Sequence, residues 1–170
     1  MAPRNACLRE VKNNIRTRRQ EAQILAQSAW PLRRLHRQRE AGARIEAALD
    51  LLREVKVYPA PKISIGDEPE AVVRAQAEHA AATGQTARAL DIYRELLDKV
   101  MAAKPDIRND LGHAHSLSRI YLASARLLLK TGARAEAERL NAQRTELWRA
   151  WNAKLPNNAY VQRQLAVTLE

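Results

Sequence analysis

The sequence predicts an all-α protein, and three of its features support that class. Aromatic residues make up only 4% of the 170 residues and phenylalanine is absent, so strand-forming residues are scarce while helix formers such as alanine, leucine, arginine and glutamate are abundant. Five glycines and seven prolines are too few for the many turns of an all-β fold. Apolar residues also recur at helical spacing along most of the chain. The length is typical of one domain or of two very small ones.

The N-terminal part contains two predicted helices and a connector. A helix with a weak apolar pattern is predicted from about residue 5 to Ser28; Pro31 then ends or kinks it, and a basic stretch continues to Glu40. Three prolines and one glycine mark residues 57–69 as a long connector. Beyond Gly42, a second helix is predicted from five apolar residues, Ile45, Ala48, Leu49, Leu52 and Val55.

The remainder of the chain predicts four long helices and a short one. The long helices cover about residues 69–82, 86–103, 111–131 and 134–154, and the third begins at an N-cap formed by Asn109 or Asp110. Asn157 or Asn158 caps a short terminal helix. Trp148 and Trp151 lie one turn apart, and we expect them to pack against this terminal helix.

Glycines between the predicted helices follow a pattern. Each of three glycines is followed five residues later by an alanine and, after the second helix, by a proline. These residues are Gly42, Ala47 and Pro59; Gly84, Ala89 and Pro105; and Gly132, Ala137 and Pro156. Glycine permits the left-handed conformation that ends a helix, the small alanine lets two helices approach, and proline ends the second helix.

This pattern resembles the tetratricopeptide repeat, an antiparallel helix pair of about 34 residues. The glycine spacings here are longer and unequal, since Gly42 and Gly84 are closer together than Gly84 and Gly132, and Asn141 and Arg144 occupy positions where that repeat has apolar residues. The resemblance implies a superhelical stack of antiparallel helix pairs. We therefore predict a basic helical segment over residues 1–41 and a tetratricopeptide-like domain over residues 42–170 with a C-terminal capping helix. Deleting residues 1–41 is expected to leave that domain folded.

Four stretches also resemble the C-terminal region of bacterial serine/threonine protein kinases of the acidobacterial type. They are LDLLREVKVYPA (49–60), ALDIYRELLDKVMAAKP (89–105), NDLGHAHSLSRIY (109–121) and ELWRAWNAKLPNNAYVQRQL (146–165). The resemblance implies helical repeats that lie beside a kinase domain. The sequence has no glycine-rich phosphate loop and no HRD or DFG motif, so a non-catalytic protein-interaction scaffold without a cofactor is predicted, acting alone or as part of a kinase-like protein.

A concave groove of such a stack would receive a protein or peptide partner. In tetratricopeptide-like pairs, residues four and eight before the central glycine are expected to share the helical face that lines this groove. The predicted partner-binding residues are Arg34, Gln38, Gln76, Ala80, Ser124 and Leu128, with Tyr121 one turn earlier. Arg34 is the one cation among them and could bind an acidic group, whereas the set as a whole does not match a clamp for a terminal carboxylate.

The basic N-terminal segment supports an alternative hypothesis, a helical protein that binds nucleic acid. Residues 1–45 contain eleven lysines and arginines against three glutamates, a net charge of +8 out of +10 for the whole chain. The arginines that would follow a phosphate backbone are Arg16, Arg18, Arg19, Arg33, Arg34, Arg37 and Arg39. Trp30 is the one aromatic residue in this segment that would stack on bases, and no helix-turn-helix pattern is present.

Other reactive side chains do not form a site. His113 and His115 are two residues apart and would lie on different faces of a helix, so no metal site is predicted. Cys7 cannot form an intramolecular disulfide because it is the one cysteine in the chain, and it is interpreted as incidental. No apolar run is long enough to form a membrane-spanning helix. We therefore expect no such helix and a cytoplasmic protein.

Overall fold

The computed structural model describes the backbone of residues 2–169 and the side chains of residues 14–169. The described chain is all-helical and contains no strand, which confirms the predicted all-α class. Its helices are α1 (Ala2–Arg34), α2 (Gln38–Glu54), α3 (Glu68–Ala82), α4 (Thr86–Ala102), α5 (Leu111–Lys130), α6 (Arg134–Lys154) and α7 (Ala159–Ala166). No helix within residues 2–169 is both long enough and apolar enough to cross a membrane.

Helices α3 to α7 lie close to their predicted positions. Asp110 caps α5, and its carboxylate accepts hydrogen bonds from the backbone N–H groups of Gly112 and His113. Asn158 caps α7 in the same way, through the N–H groups of Tyr160 and Val161. These caps satisfy backbone donors that have no partner inside the helix, and they confirm that the polar residues predicted to start these two helices do so.

The predicted boundaries of the first two helices are wrong. The first helix does not end at Ser28 but continues through Pro31 to Arg34, and the second begins at Gln38. Gly42 therefore lies inside α2 and does not separate two helices. Its local role is close packing, because a Cβ atom built on Gly42 would come within 2.9 Å of Nε2 of His79 on α3. Proline and glycine are helix breakers by propensity alone, and here tertiary packing overrides that propensity.

The same turn joins α1 to α2, α3 to α4 and α5 to α6. His36, Gly84 and Gly132 each have a positive φ, of 58°, 79° and 81°, and they are evenly spaced along the chain. The residue after each one donates its N–H to the carbonyl five positions earlier, at 2.9 to 3.0 Å. This is the hydrogen bonding of a left-handed helix end. The turn residue of the first pair is therefore His36 and not Gly42, and the predicted unequal spacing of the three turns is wrong because the turns are equally spaced.

An alanine five residues after each turn residue is fully buried. The three alanines, Ala41, Ala89 and Ala137, are 0% exposed. Ala47, which the glycine pattern assigned to this position in the first pair, is exposed. The predicted reason for a small residue here, close approach of two helices, thus applies to Ala41 instead of Ala47.

One apolar cluster joins α1 to α2 and α3. Ala22, Ala26 and Ala29 of α1 are 0 to 3% exposed and belong to the same cluster as Ile45 and Leu49 of α2. Helix α3 packs against both α1 and α2. The predicted domain boundary between residues 41 and 42 consequently falls inside α2, and α1 is part of the core. A second cluster joins α3, α4, α5 and α6.

Two tryptophans connect α6 to its neighbours. Trp148 is fully buried, donates its indole N–H to Oγ of Ser118 at 2.7 Å and packs edge-on against Tyr160 of α7. Trp151 is 8% exposed and donates its indole N–H to the carbonyl of Ile107 at 2.9 Å. The prediction that the tryptophans are structural and pack near the terminal helix is confirmed, with Trp148 making the direct contact.

Arg144 explains why the last helix pair departs from an apolar pattern. Its side chain is 1% exposed and donates to the backbone carbonyls of Gln164, at 2.9 Å, and Val167, and also to Oδ1 of Asn141 at 3.1 Å. Those carbonyls lie at the C-terminal end of α7, where backbone acceptors lack partners within the helix. Arg144 therefore attaches α7 to α6 by hydrogen bonding, and Asn141 accepts the Nε–H of its guanidinium within α6.

Candidate functional site

A groove of about 510 Å³ runs across the first helices of the three pairs, α1, α3 and α5. We call it the first-helix groove. Its lining includes Gln27, Trp30 and Arg33 of α1, Arg74 and Glu78 of α3, and Arg119 of α5. Trp30 and Glu78 each lie six residues before the turn residue of their own pair, so equivalent helix positions face the groove. Two small apolar residues of the core, Ala26 of α1 and Ala75 of α3, also border the groove.

Three arginines from three helices converge on Glu78. Its carboxylate accepts from Nη2 of Arg33 at 2.7 Å, from Nη1 of Arg74 at 3.2 Å and from Nη2 of Arg119 at 3.2 Å. Arg74 also pairs through Nε with Glu70 at 2.8 Å. Three cations thus face two carboxylates, and the network holds one excess positive charge.

Burial makes this network stronger than a surface ion pair. The side chains of Glu70, Arg33 and Arg74 are 5%, 10% and 21% exposed. Burial lowers the pKa of Arg74, but the carboxylates of Glu70 and Glu78 outweigh it and raise that pKa above its ordinary value. Arg119, at 47% exposed, is the member that is open to solvent. The floor of the groove is therefore a fixed array of charges with one accessible guanidinium.

Trp30 supplies an apolar surface in the same groove. It is 56% exposed, an unusual state for tryptophan, and the guanidinium of Arg34 lies 5.2 Å from the centre of its ring. Such a cation–π contact holds the ring in place while leaving part of its surface open. The groove consequently combines an apolar platform with a cluster of charges.

None of the seven residues predicted to bind a partner lines the first-helix groove. Arg34 is exposed beside Trp30, and Gln38 and Gln76 are half-buried. The remaining four are buried, with exposures between 2% and 9%: Ala80, Tyr121, Ser124 and Leu128. In α3, the groove is lined by Glu78 and Arg74, which lie six and ten residues before Gly84. The residues four and eight before Gly84 do not line it. The role of the seven in partner binding stays a prediction, and the structure leaves four of them little surface for contact.

Some of those buried residues line other cavities. Tyr121 borders a cleft of about 560 Å³ between α5 and α6 that also involves Leu117, Trp151 and Lys154. Ser124 and Leu128 border a smaller cavity of about 260 Å³ between α4, α5 and α6. Burial raises the pKa of the Tyr121 phenol. These cavities are separate from the first-helix groove.

The two histidines of the HAH sequence have structural contacts. Nδ1 of His113 accepts the backbone N–H of Asp106 at 3.1 Å, and Nδ1 of His115 is hydrogen-bonded to the Tyr160 hydroxyl of α7. Burial, followed by the charges of Arg119 and Arg74, lowers the pKa of His115. Among the residues that the structure describes, no group of three or more histidine, cysteine and acidic side chains is placed to hold a metal ion.

Many of the N-terminal arginines pair with carboxylates of this same chain. Arg19 of α1 binds Glu68 at 2.6 Å, and Arg18 contacts both Glu21 and Glu54. Arg37 binds Glu40 at 2.6 Å, which raises the pKa of Arg37 and lowers that of Glu40. The basic segment therefore holds α1 against α2 and α3. The side chain of Cys7 lies outside the residues whose side chains are described.

Sequence reasoning missed Gln27, Trp30, Arg33, Arg74, Glu78 and Arg119 as groove residues. The signal that finds them is the even spacing of the three turns measured from His36, which aligns Trp30 with Glu78 and Gln23 with Arg119 across the pairs. If Gly42 is taken as the turn residue of the first pair, the positions of α1 are compared with α3 and α5 six residues out of register, and the equivalence is lost. Comparison with protein-family models, curated proteins and solved structures gave no match to this chain.

Proposed function

We propose that this chain is a non-catalytic protein-interaction scaffold of tetratricopeptide-like helix pairs, and that a protein or peptide partner binds in the first-helix groove. The observation that carries the proposal is the groove itself, to which α1, α3 and α5 all contribute side chains at matching positions. A surface assembled from several helix pairs is the kind of extended site by which stacked helical repeats bind partners.

Helix packing supports the tetratricopeptide-like interpretation. Each first helix packs on the second helix of its own pair, α2 packs against α3, and α4 packs against α5. The three turns share one backbone geometry and follow one another at equal spacing. A unit longer than the usual tetratricopeptide repeat is accommodated by the length of α5 and α6, of 20 and 21 residues, and by the connectors that follow α2 and α4.

The resemblance to kinase C-terminal regions supports a role beside a catalytic domain. Under this proposal, the chain contributes binding and no chemistry, requires no cofactor and works in the cytoplasm. Its arrangement of buried ion pairs and an exposed tryptophan serves recognition, because aromatic and arginine side chains provide much of the binding energy at protein interfaces.

In-cell photo-crosslinking tests the proposal. A photo-reactive amino acid replaces Gln27, which is exposed in the groove, and in a matched variant it replaces Asp91 of α4, whose side chain is 76% exposed outside the groove. We expect a defined adduct from position 27 that is degraded by protease and resists nuclease, with none from position 91. Equal adducts from both positions contradict the groove assignment. A nuclease-sensitive adduct from position 27 favours the alternative, nucleic-acid binding, which the net charge of +8 in residues 1–45 motivates.

A further inference from the structure

We propose that the first-helix groove selects an acidic peptide segment, one carboxylate of which binds Arg119 while a neighbouring apolar side chain packs on Trp30. This inference rests on the proposed function and adds the chemistry of the partner. It starts from the imbalance of charge in the groove, where Arg33, Arg74 and Arg119 face only two carboxylates.

Arg119 is the accessible point of that network. It donates through Nη2 to Glu78 at 3.2 Å, a longer contact than the 2.7 Å between Arg33 and Glu78, and nearly half of its side chain is exposed. A guanidinium has five N–H donors arranged to bind a carboxylate in bidentate fashion. An incoming carboxylate can therefore bind the outer edge of Arg119 without any rearrangement of α5.

Glu78 acts as an internal competitor for the same arginines. Its carboxylate takes the position at which three guanidinium groups meet, and it thereby fixes their orientation and neutralises part of their charge. Preorganised donors bind an anion with less loss of conformational freedom than flexible ones. Removing the charge of Glu78 would raise the net charge of the network from +1 to +2, since its two carboxylates would become one.

The dimensions and contents of the groove favour a peptide over a nucleic acid. A volume of about 510 Å³ accommodates a few side chains, and the buried carboxylate of Glu70 with that of Glu78 would repel a continuous row of phosphates. Trp30 lies on the same groove, so an apolar side chain next to an acidic one completes the match. The overall charge of +10 also attracts an acidic partner at long range.

Fluorescence anisotropy on the full chain tests this inference. The probe is a short labelled peptide with a central tryptophan flanked by glutamates, and its matched control replaces every glutamate by glutamine. We expect the glutamate peptide to bind about tenfold more tightly than the glutamine peptide. This factor corresponds to about 1.4 kcal/mol, the contribution of one hydrogen bond between charged groups. Arg119→Gln should abolish this preference, whereas Arg134→Gln, at a side chain 80% exposed outside the groove, should keep it. Glu78→Gln should tighten binding of the glutamate peptide by about threefold.

The outcomes separate this inference from the proposed function. If both peptides bind equally and Trp30→Ala weakens both, the groove binds peptides but acidity is not what it selects, and the inference fails alone. If neither Arg119→Gln nor Trp30→Ala changes binding of either peptide, the groove assignment fails as well. Displacement of the glutamate peptide by a short DNA duplex, with the same sensitivity to Arg119→Gln, overturns the choice of a peptide partner. Thermal melting of each variant confirms that it is folded.

Discussion

His36 adopts a backbone conformation that its two counterparts achieve with glycine. Its φ of 58° matches those of Gly84 and Gly132, of 79° and 81°, although a side chain in this left-handed region costs about 1 kcal/mol. Histidine is among the residues that are enriched in this region. The shared hydrogen bonding shows that the turn, and not the residue type, is what the three helix pairs have in common.

Exchanging residue types between these turns tests their equivalence. We expect His36→Gly to raise the free energy of unfolding by up to about 1 kcal/mol, because glycine relieves the left-handed strain. Gly84→Ala should lower it by about 1 kcal/mol for the opposite reason, since no atom lies within 4 Å of the added Cβ. Urea denaturation measures both. A Gly84→Ala variant as stable as the parent protein would show that the positive φ carries no strain there.

Gly42 has a different role, which depends on His79. A Cβ atom at Gly42 would lie 2.9 Å from Nε2 of that imidazole, while the Nδ1 atom of the same ring is buried without a hydrogen-bond partner among the described residues. Inside a helix, alanine is favoured over glycine by about 1 kcal/mol. The steric cost against His79 therefore opposes the gain in helix propensity.

A double-mutant cycle separates these two effects. We expect Gly42→Ala to leave the protein no more stable than before, and the same change in a His79→Ala background to stabilise it by about 1 kcal/mol. Chemical denaturation of the four proteins gives the coupling free energy. A coupling of zero would mean that His79 moves aside freely and that the close approach of α2 and α3 does not require glycine.

At the scale of elements, Arg144 is the contact on which α7 depends. It donates to two carbonyls at the end of that short helix, and Trp148 packs on Tyr160 from the same side of α6. An eight-residue helix is too short to be stable alone. Arg144 occupies a position where a tetratricopeptide repeat has an apolar residue because its guanidinium holds α7 against α6.

Replacing Arg144 with methionine should release α7. The change keeps much of the side-chain volume but leaves the carbonyls of the half-buried Gln164 and Val167 without their donor, at a total cost of about 1 to 3 kcal/mol. Hydrogen exchange followed by mass spectrometry should show faster exchange in residues 159–166, with α3 and α4 unchanged. Arg149→Met, at a side chain that is 68% exposed on the same helix, is the control. Unchanged protection of α7 would mean that Trp148 and Tyr160 suffice to hold it.

The sequence predicted the elements unevenly, and the reason is physical. Polar residues cap α5 and α7, glycines end α3 and α5, and prolines follow α4 and α6, so the bounds of these helices are predictable within a few residues. Helices α1 and α2 are misplaced because Pro31 and Gly42 are ordinary breakers that tertiary packing overrides, while histidine at position 36 is a weaker signal for a left-handed turn than glycine. The groove residues were missed for the same reason, since their alignment depends on that turn.

At the scale of the whole molecule, α1 is an integral part of the helical fold. It shares an apolar cluster with α2 and α3, and Arg19 and Arg33 pair with Glu68 and Glu78 of α3. The positive charge of the N-terminal segment is thus partly used for internal contacts. Residues 1–41 were expected to be separable from the rest of the chain, but α1 packs on α2 and α3 as part of the same fold.

Removing α1 should therefore destabilise the chain severely. A chain that begins at Gln38 exposes side chains such as Ile45, Leu49 and Leu52, which are at most 1% exposed in the intact protein. Each contributes about 1.5 to 3 kcal/mol by burial, and together they approach the whole stability of a typical domain. We expect a broad or strongly lowered thermal transition by circular dichroism. An unchanged melting temperature would restore a domain boundary near residue 41.

Mapping of a bound peptide by NMR tests whether the first helices of the three pairs form one binding surface. Amide resonances of the labelled full chain are followed during titration with the glutamate peptide. We expect the largest shifts on α1, α3 and α5, at Gln27, Trp30, Glu78 and Arg119, and little change on the exposed faces of α4 and α6. Shifts concentrated on α4 and α6, with the first-helix groove unperturbed, would contradict it.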